Sequence, residues 1–303
     1  MLNVLLSEFM ILFSGILLVF LLLADNLYWT WLFPWMQNCH GDHSFSYGYS
    51  ERDGPHTWKS MYAACNGRNQ SPINITTRLA IVVQPSEPLR WIGYNKRPAS
   101  MTITNTGFSV IVNTLWRTSV CPYIEGGPLT NTYNLWSMKF HWGPTNEEGS
   151  EHTIDYVRYP MELQVFHLSR NFESPMEAIK AEAHDSMMIV SFFFQITNAD
   201  NPYLDNIVTN LWRIQRPGCS VHVAPFPLEW FFEPFEKNYY TYNGSLTQPP
   251  CSEIVTWILC PEPIAISRFQ VAQFRTLSSS KGPILSNCRP VQQVNDRSVY
   301  FYE

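Results

Sequence analysis

Residues 134–169 read NLWSMKFHWGPTNEEGSEHTIDYVRYPMELQVFHLS, with histidines at 141, 152 and 167 and carboxylates at 147, 148, 151, 155 and 162. Imidazoles and carboxylates gathered on two strand-like runs are what a buried metal centre needs. Side chains alternate across a strand, so Ser137, Lys139 and His141 share one face while Met138, Phe140 and Trp142 share the other. In the second run Glu162, Gln164 and Phe166 share a face, and pairing of the two runs brings Lys139, His141, Glu162 and Gln164 together. Three nitrogen ligands in this arrangement would leave zinc an open position on which to acidify water. Only His141 offers an imidazole. Lys139 is cationic near neutral pH and repels a metal ion, and the Gln164 amide is a weak neutral ligand. His167 has the wrong parity and His152 falls in the GSEHT turn, so both read as histidines held by hydrogen bonds in a core. His40, His43, His56, His184 and His222 stand elsewhere without ligand spacing.

The elements that must position these residues are mostly strands. MTITNTGFSVIV (101–112), LWSMKFHW (135–142), TIDYVRYPMELQVFHL (153–168), MMIVSFFFQI (187–196) and IVTWILC (254–260) are β-branched or aromatic and bounded by turn residues. Helical signals are few: Leu204, Ile207, Val208, Leu211 and Trp212 at helical spacing, and SRFQVAQFRTL (267–277), with a serine cap and Phe269 and Phe274 on a short helix. The expected fold is mixed but mainly β: one domain with a large central twisted sheet and short peripheral helices. No linker or repeat interrupts it from about Trp58 to Tyr302.

Composition, 45% hydrophobic and 15% charged, is that of a folded globular chain of 303 residues. A net charge of −5 with no run of lysines or arginines excludes a nucleic-acid surface. Residues 9–24 are uncharged and almost wholly apolar, followed by the Trp- and Tyr-rich NLYWTWLFPWM. Residues 1–36 therefore read as a signal peptide or membrane anchor, with a buried helix as the remaining alternative, and residues 37–57 as an extended lead-in to a domain over 58–303. Seven cysteines form no CxxC or zinc-finger spacing, and Asn69, Asn74 and Asn243 begin glycosylation sequons. No Ser-His-Asp or Cys-His pattern points to another hydrolase chemistry.

SPINI (71–75), EGGPL (125–129), FHWG (140–143), GSEHT (149–153), MEL (161–163) and GSLTQPPCSEIVTWI (244–258) resemble, in order, the signature blocks of the α-class carbonic anhydrases. The resemblance spans about Tyr47 to Val294. It implies a central, largely antiparallel twisted sheet with a conical cavity reaching its middle. It also implies that the three zinc-ligand positions are Lys139, His141 and Gln164, so two histidines of the family are missing and no metal or other cofactor is expected. The proton-shuttle position is Phe108, after Asn105-Thr106-Gly107, and Phe166 stands where a small apolar residue lines the carbon dioxide pocket. Thr247 and Glu151 match the pair that orients the zinc-bound hydroxide, so no catalytic residue is expected although these two are kept. Tyr49, Ser137, Leu246, Gln248 and Trp257 match the cavity wall, and Cys65 and Cys251 match the family's extracellular disulfide, which implies an oxidising compartment. The pattern resembles the catalytically silent carbonic anhydrase-related proteins. The expected function is binding of an undetermined protein partner, in the secretory pathway or at a membrane held through residues 9–36. The alternatives are a hydratase with an atypical metal site and a structural subunit of a membrane assembly. Lys139 is expected to pair with Glu162 or the Gln164 carbonyl, in place of the zinc.

Overall fold

The structure is a computed structural model that describes residues 47–117 and 121–303. Among the described residues twelve strands form one sheet. Its main path runs Ser220–Val223, Ser100–Asn105, Val110–Leu115, Tyr133–Trp142, Met161–Ser169, Met187–Thr197, Val255–Ser267, Tyr239–Gly244, Tyr300–Tyr302, Ile81–Val83. Neighbours are antiparallel except at two places, where Met187–Thr197 lies parallel to Val255–Ser267 and Tyr300–Tyr302 parallel to Ile81–Val83. Leu89–Ile92 and Tyr123–Gly126 form a side branch on Tyr133–Trp142.

Alternation along the central strands divides the core. Met138, Phe140 and Trp142 join Leu163, Val165, Val190 and Phe274 on one side of the sheet. Phe166, Ile189, Leu246 and Trp257 pack on the other. The face opposite Phe140 therefore carries Lys139 and His141. This is the parity read from the sequence.

Several sequence expectations change in detail. The run 101–112 is a hairpin, Ser100–Asn105 and Val110–Leu115, turning where Gly107 adopts φ +83. The run 153–168 is cut: Asp155 and Tyr156 take positive φ, and Pro160 precedes the strand Met161–Ser169. The segment with Leu204 to Trp212 is not one helix. It is short helical pieces, Pro202–Leu204, Asp205–Val208 and Leu211–Ile214, and Trp212 is exposed. A tryptophan at helical spacing matched the periodicity, but the breaks rotate it outward. The helix Arg268–Phe274 has its Ser267–Gln270 capping box, yet only Phe274 of the two phenylalanines is buried; Phe269 faces solvent.

Cys65 and Cys251 are bonded, tying the short helical turn Ala63–Asn66 to the loop after Tyr239–Gly244. Cys219 is also disulfide-bonded, whereas Cys121, Cys260 and Cys288 are free. Among the described residues no helix is long and apolar enough to cross a membrane. The leader expected over 1–36, and the lead-in up to residue 46, lie outside the described residues.

Candidate functional site

The strands Tyr133–Trp142 and Met161–Ser169 pair with Lys139 opposite Gln164, His141 opposite Glu162 and Ser137 opposite Phe166. Six residues that the sequence placed on one face do share it. The GSEHT loop adds Glu151 and His152 from the side. Gly149 allows that approach, because a Cβ there would lie 1.9 Å from the Pro160 carbonyl oxygen.

Glu162 is the most heavily bonded group. Its Oε2 accepts from the backbone N–H groups of Glu151 (2.8 Å) and His152 (2.9 Å). Its Oε1 accepts from Ser191 Oγ (2.8 Å), Gln164 Nε2 (3.0 Å) and His152 Nδ1 (2.9 Å). Burial alone would raise this carboxyl's pKa, but His152 and the other donors outweigh it and hold the value at about 2. His152 continues through Nε2 to the Tyr242 hydroxyl at 2.7 Å, which lies 2.9 Å from Ser71 Oγ. The Trp257 ring stands edge-on to His152 with centroids 4.6 Å apart and donates its N–H to the Ser245 carbonyl. His152 is thus a satisfied core histidine; His167 is also buried, with Nε2 2.5 Å from the Tyr94 hydroxyl, no partner for Nδ1 among the described residues, and a pKa that burial pulls down to about 3.

The ligand-position side chains are less complete. His141 Nδ1 lies 2.8 Å from the Asn287 carbonyl oxygen, which can only accept. In the neutral ring this leaves Nε2 as a bare acceptor, aimed at Glu151 Oε2 across 3.5 Å. Gln164 donates from Nε2 to Glu151 Oε2 at 2.8 Å, and its Oε1 has no hydrogen-bond partner among the described residues; nor has His141 Nε2. Lys139 does not meet Glu162 or Gln164 as expected. Its Nζ donates to Gln248 Oε1 at 2.5 Å and lies 5.1 Å from the centre of the Phe166 ring. The physical reason is that Glu162 is not short of partners: loop N–H groups, Ser191 and His152 already fill both oxygens. Burial lowers the Lys139 pKa to about 8, an effect that the Glu151 charge opposes.

The donor set does not fit zinc. One imidazole nitrogen, one amide oxygen and a buried ammonium give a single good ligand and a repelling charge. Among the described residues no three His, Cys, Asp or Glu side chains gather as a metal site.

Above the floor the approach is packed. Gln248 Oε1 also accepts from the Tyr47 hydroxyl at 3.0 Å, and the Tyr47 ring stacks on Phe108 with centroids 4.3 Å apart. Tyr49 lies edge-on to Tyr47 and Trp58. Leu246 and Thr247 are buried, and Ser137 is half-buried across from Phe166. Among the described residues no hydrogen bond joins Thr247 to Glu151, whose Oε1 instead accepts from the Arg289 backbone N–H at 2.9 Å. Sequence reasoning missed Asn287, which binds His141 through its carbonyl and clamps Phe108, Phe140 and Trp142 with its side chain. It also missed Tyr47, Ser191 and Arg289. No periodicity marks them, since each reaches the site from a distant segment.

Comparison with known proteins adds to this geometry. A family model described as eukaryotic-type carbonic anhydrase matches residues 53–303. Carbonic anhydrase 1 of Mus musculus is 38% identical over 264 residues, which is 84% of this chain and 98% of that protein. Carbonic anhydrase 7 of Homo sapiens is 34% identical over 259 residues, covering 84% and 96%. Carbonic anhydrase 3 of Homo sapiens is 33% identical over 260 residues, with the same coverage.

Proposed function

The chain belongs to the eukaryotic-type carbonic anhydrase family, and from that premise we propose that it is a catalytically silent member serving as a binding module in the secretory pathway or at the cell surface. The observation that carries the reading is Lys139. A buried ammonium stands at a position where the family resemblance expects a zinc ligand, and Gln164 stands at another. Hydration of carbon dioxide in this fold needs a metal-bound hydroxide, and no other side chain here supplies one. Two further features support the same reading independently. Phe108 at the shuttle position cannot carry a proton, and Phe166 with Lys139 over it occupies the space beside the floor. The Cys65–Cys251 bond is compatible with an oxidising compartment, which supports a secretory location.

A second reading, an active hydratase with an atypical metal site, draws on the two orphaned acceptors, His141 Nε2 and Gln164 Oε1. Elemental analysis of the purified full chain, beside a stopped-flow carbon dioxide hydration assay, separates the two. Silence predicts far less than one zinc per chain and a rate equal to buffer. One zinc per chain with turnover that a zinc chelator abolishes would overturn it.

A further inference from the structure

Three asparagines begin glycosylation sequons, and the fold treats them differently. Asn74 is buried and its amide is spent. Its Oδ1 accepts from Thr153 Oγ1 at 2.8 Å and from the Tyr156 backbone N–H at 2.7 Å, and its Nδ2 donates to Thr76 Oγ1 at 3.0 Å. A sugar on that nitrogen would part Asn74–Ile75 from Thr153–Ile154, the strand it pairs with. Asn69 is half-buried beside Glu253, whose Oε1 accepts from its backbone N–H and from the Gln70 amide. Asn243 is exposed near the end of Tyr239–Gly244, and there the backbone carbonyl, not the side chain, accepts from Arg297 Nη1 at 3.1 Å.

What surrounds Asn243 gives a glycan there something to do. Thr241 pairs with Tyr300 and Tyr300 with Ile81, and Asn243 follows Thr241 by two residues. Strand alternation therefore puts Asn243, Tyr300 and Ile81 on one face. Tyr300 and Ile81 are both exposed, as are Leu79 and Val82 beside them. Ile81–Val83 ends the main path of the sheet, and its outer edge pairs with no strand among the described residues. An apolar sheet edge is a template for pairing with another chain unless something blunts it. The strand itself, IVV, has no charged residue or proline to do so. At roughly 4.8 Å per strand, the strand of Asn243 lies about 10 Å from that edge. A branched oligosaccharide, bulky and hydrated, covers such a distance.

We propose that Asn243 carries an N-linked glycan, that Asn74 stays bare in the folded protein, and that the glycan screens the Ile81–Val83 edge from other chains. This rests on the secretory location proposed above. Transfer breaks the glycosyl–oxygen bond of a lipid diphosphate-linked oligosaccharide and joins the freed carbon to Asn243 Nδ2. The Nδ2 proton passes to a base of the transferase, and the lipid diphosphate leaves. Ser245, the hydroxyl residue of the sequon, is buried and donates from Oγ to the Leu246 carbonyl. Transfer therefore precedes closure of this loop, and the fold decides which sugars it can keep.

The full chain made in a eukaryotic secretory host tests both halves. Peptide N-glycosidase converts a glycosylated asparagine to aspartate, so peptide mass spectra should show that conversion at Asn243 and not at Asn74. Unmodified Asn243 in secreted or lumenal protein with the Cys65–Cys251 bond intact overturns the site and leaves the secretory reading standing. Cytosolic protein with both cysteines as thiols overturns the two together, and a glycan on Asn74 overturns the sorting by burial. Asn243→Gln then tests the screen. Its thermal midpoint should match wild type, while sedimentation velocity should show several-fold more self-associated protein at equal concentration. Adding Ile81→Lys should restore the wild-type distribution, because a charge on the edge opposes pairing. A variant that associates no more than wild type, or association that Ile81→Lys leaves unchanged, overturns the screen while leaving the glycan. Should Asn243→Gln fold poorly, trimming the sugar from folded wild type with an endoglycosidase decides: increased association supports the screen, and an unchanged distribution excludes it.

Discussion

Two neighbouring parts of the site face the same strands and have opposite character. Around Glu162 every hydrogen-bonding position is filled: two backbone N–H groups, Ser191, Gln164 and His152, with the relay running on to Tyr242 and Ser71. One residue across the ladder, the ligand-position side chains are mismatched: His141 and Gln164 keep orphaned acceptors and Lys139 turns away to Gln248. The difference separates a buried network that the fold itself requires from side chains that it tolerates. The Glu162 network joins a loop to three strands and carries a buried charge, so it cannot be changed without stranding several groups at once. Lys139, His141 and Gln164 are buried too, but each carries an unmatched or stretched contact rather than a closed set of donors, so they are the side chains that can change with the least loss.

The largest expected effect comes from erasing that difference. Lys139→His combined with Gln164→His would place three imidazoles on one face, beside Glu162, whose Oε1 already accepts from residue 164 and can orient a histidine there. Isothermal titration should show zinc affinity rising by at least three orders of magnitude over wild type, because a single good ligand becomes three. Equal, weak affinity in both proteins would mean that the packed approach of Tyr47, Phe108 and Phe166 excludes the ion on its own.

Breaking the filled side should cost the most stability. Glu162→Gln sets an amide N–H₂ against groups that themselves donate, and denaturant unfolding should show a loss of roughly 3–5 kcal/mol. The pH dependence has a defined sign. The carboxyl's pKa is depressed to about 2 in the folded protein from 4.5, so its contribution is fully present above pH 4.5 and is lost as the pH falls toward 2. The variant should lack that part of the acid transition.

How much of this was legible follows the same divide. Strand alternation put Lys139, His141, Glu162 and Gln164 on one face, and the register confirms it, because side-chain parity is local. The partner of Lys139 was not legible. Gln248 lies 109 residues away, and nothing near Glu162 in sequence announces that loop N–H groups and Ser191 have already filled its oxygens. Asn287 is the same case, clamping His141 from 146 residues off and the Phe108 turn from 179. The helical spacing of Leu204 to Trp212 failed for a different reason: Leu204, Ile207, Val208 and Leu211 are buried as the spacing implied, but the chain breaks at Thr209–Asn210 and exposes Trp212.

On the mismatched side the effect is smaller and opposite in direction. Lys139 titrates at about 8 when folded and 10.5 as the ordinary value. Between those limits the unfolded chain binds the extra proton, so wild-type stability should climb with pH from about 8 to 10.5, by an amount on the order of 3 kcal/mol. Lys139→Met removes the charge while keeping the volume, and should be about 1–3 kcal/mol more stable than wild type at pH 7. Its advantage should shrink toward pH 10, which unfolding at the two pH values reads directly. A variant less stable than wild type at pH 7 would mean that the Lys139–Gln248 bond outweighs the burial of the ammonium.

The smallest effect separates the Tyr47–Phe108 stack from the Lys139 floor. Tyr47→Phe keeps the stack on Phe108 and removes only the hydroxyl that donates to Gln248. Gln248 Oε1 would still accept from Lys139, so no acceptor is stranded, and the loss should be about 0.5–1.5 kcal/mol. Combined with Lys139→Met it should cost more than it does alone, because Gln248 Oε1 then loses both donors in a half-buried place. That excess, read from a double-mutant cycle, measures the coupling between the cavity mouth and the floor. Strict additivity would mean that Gln248 finds water once its partners go, and that the mouth admits it.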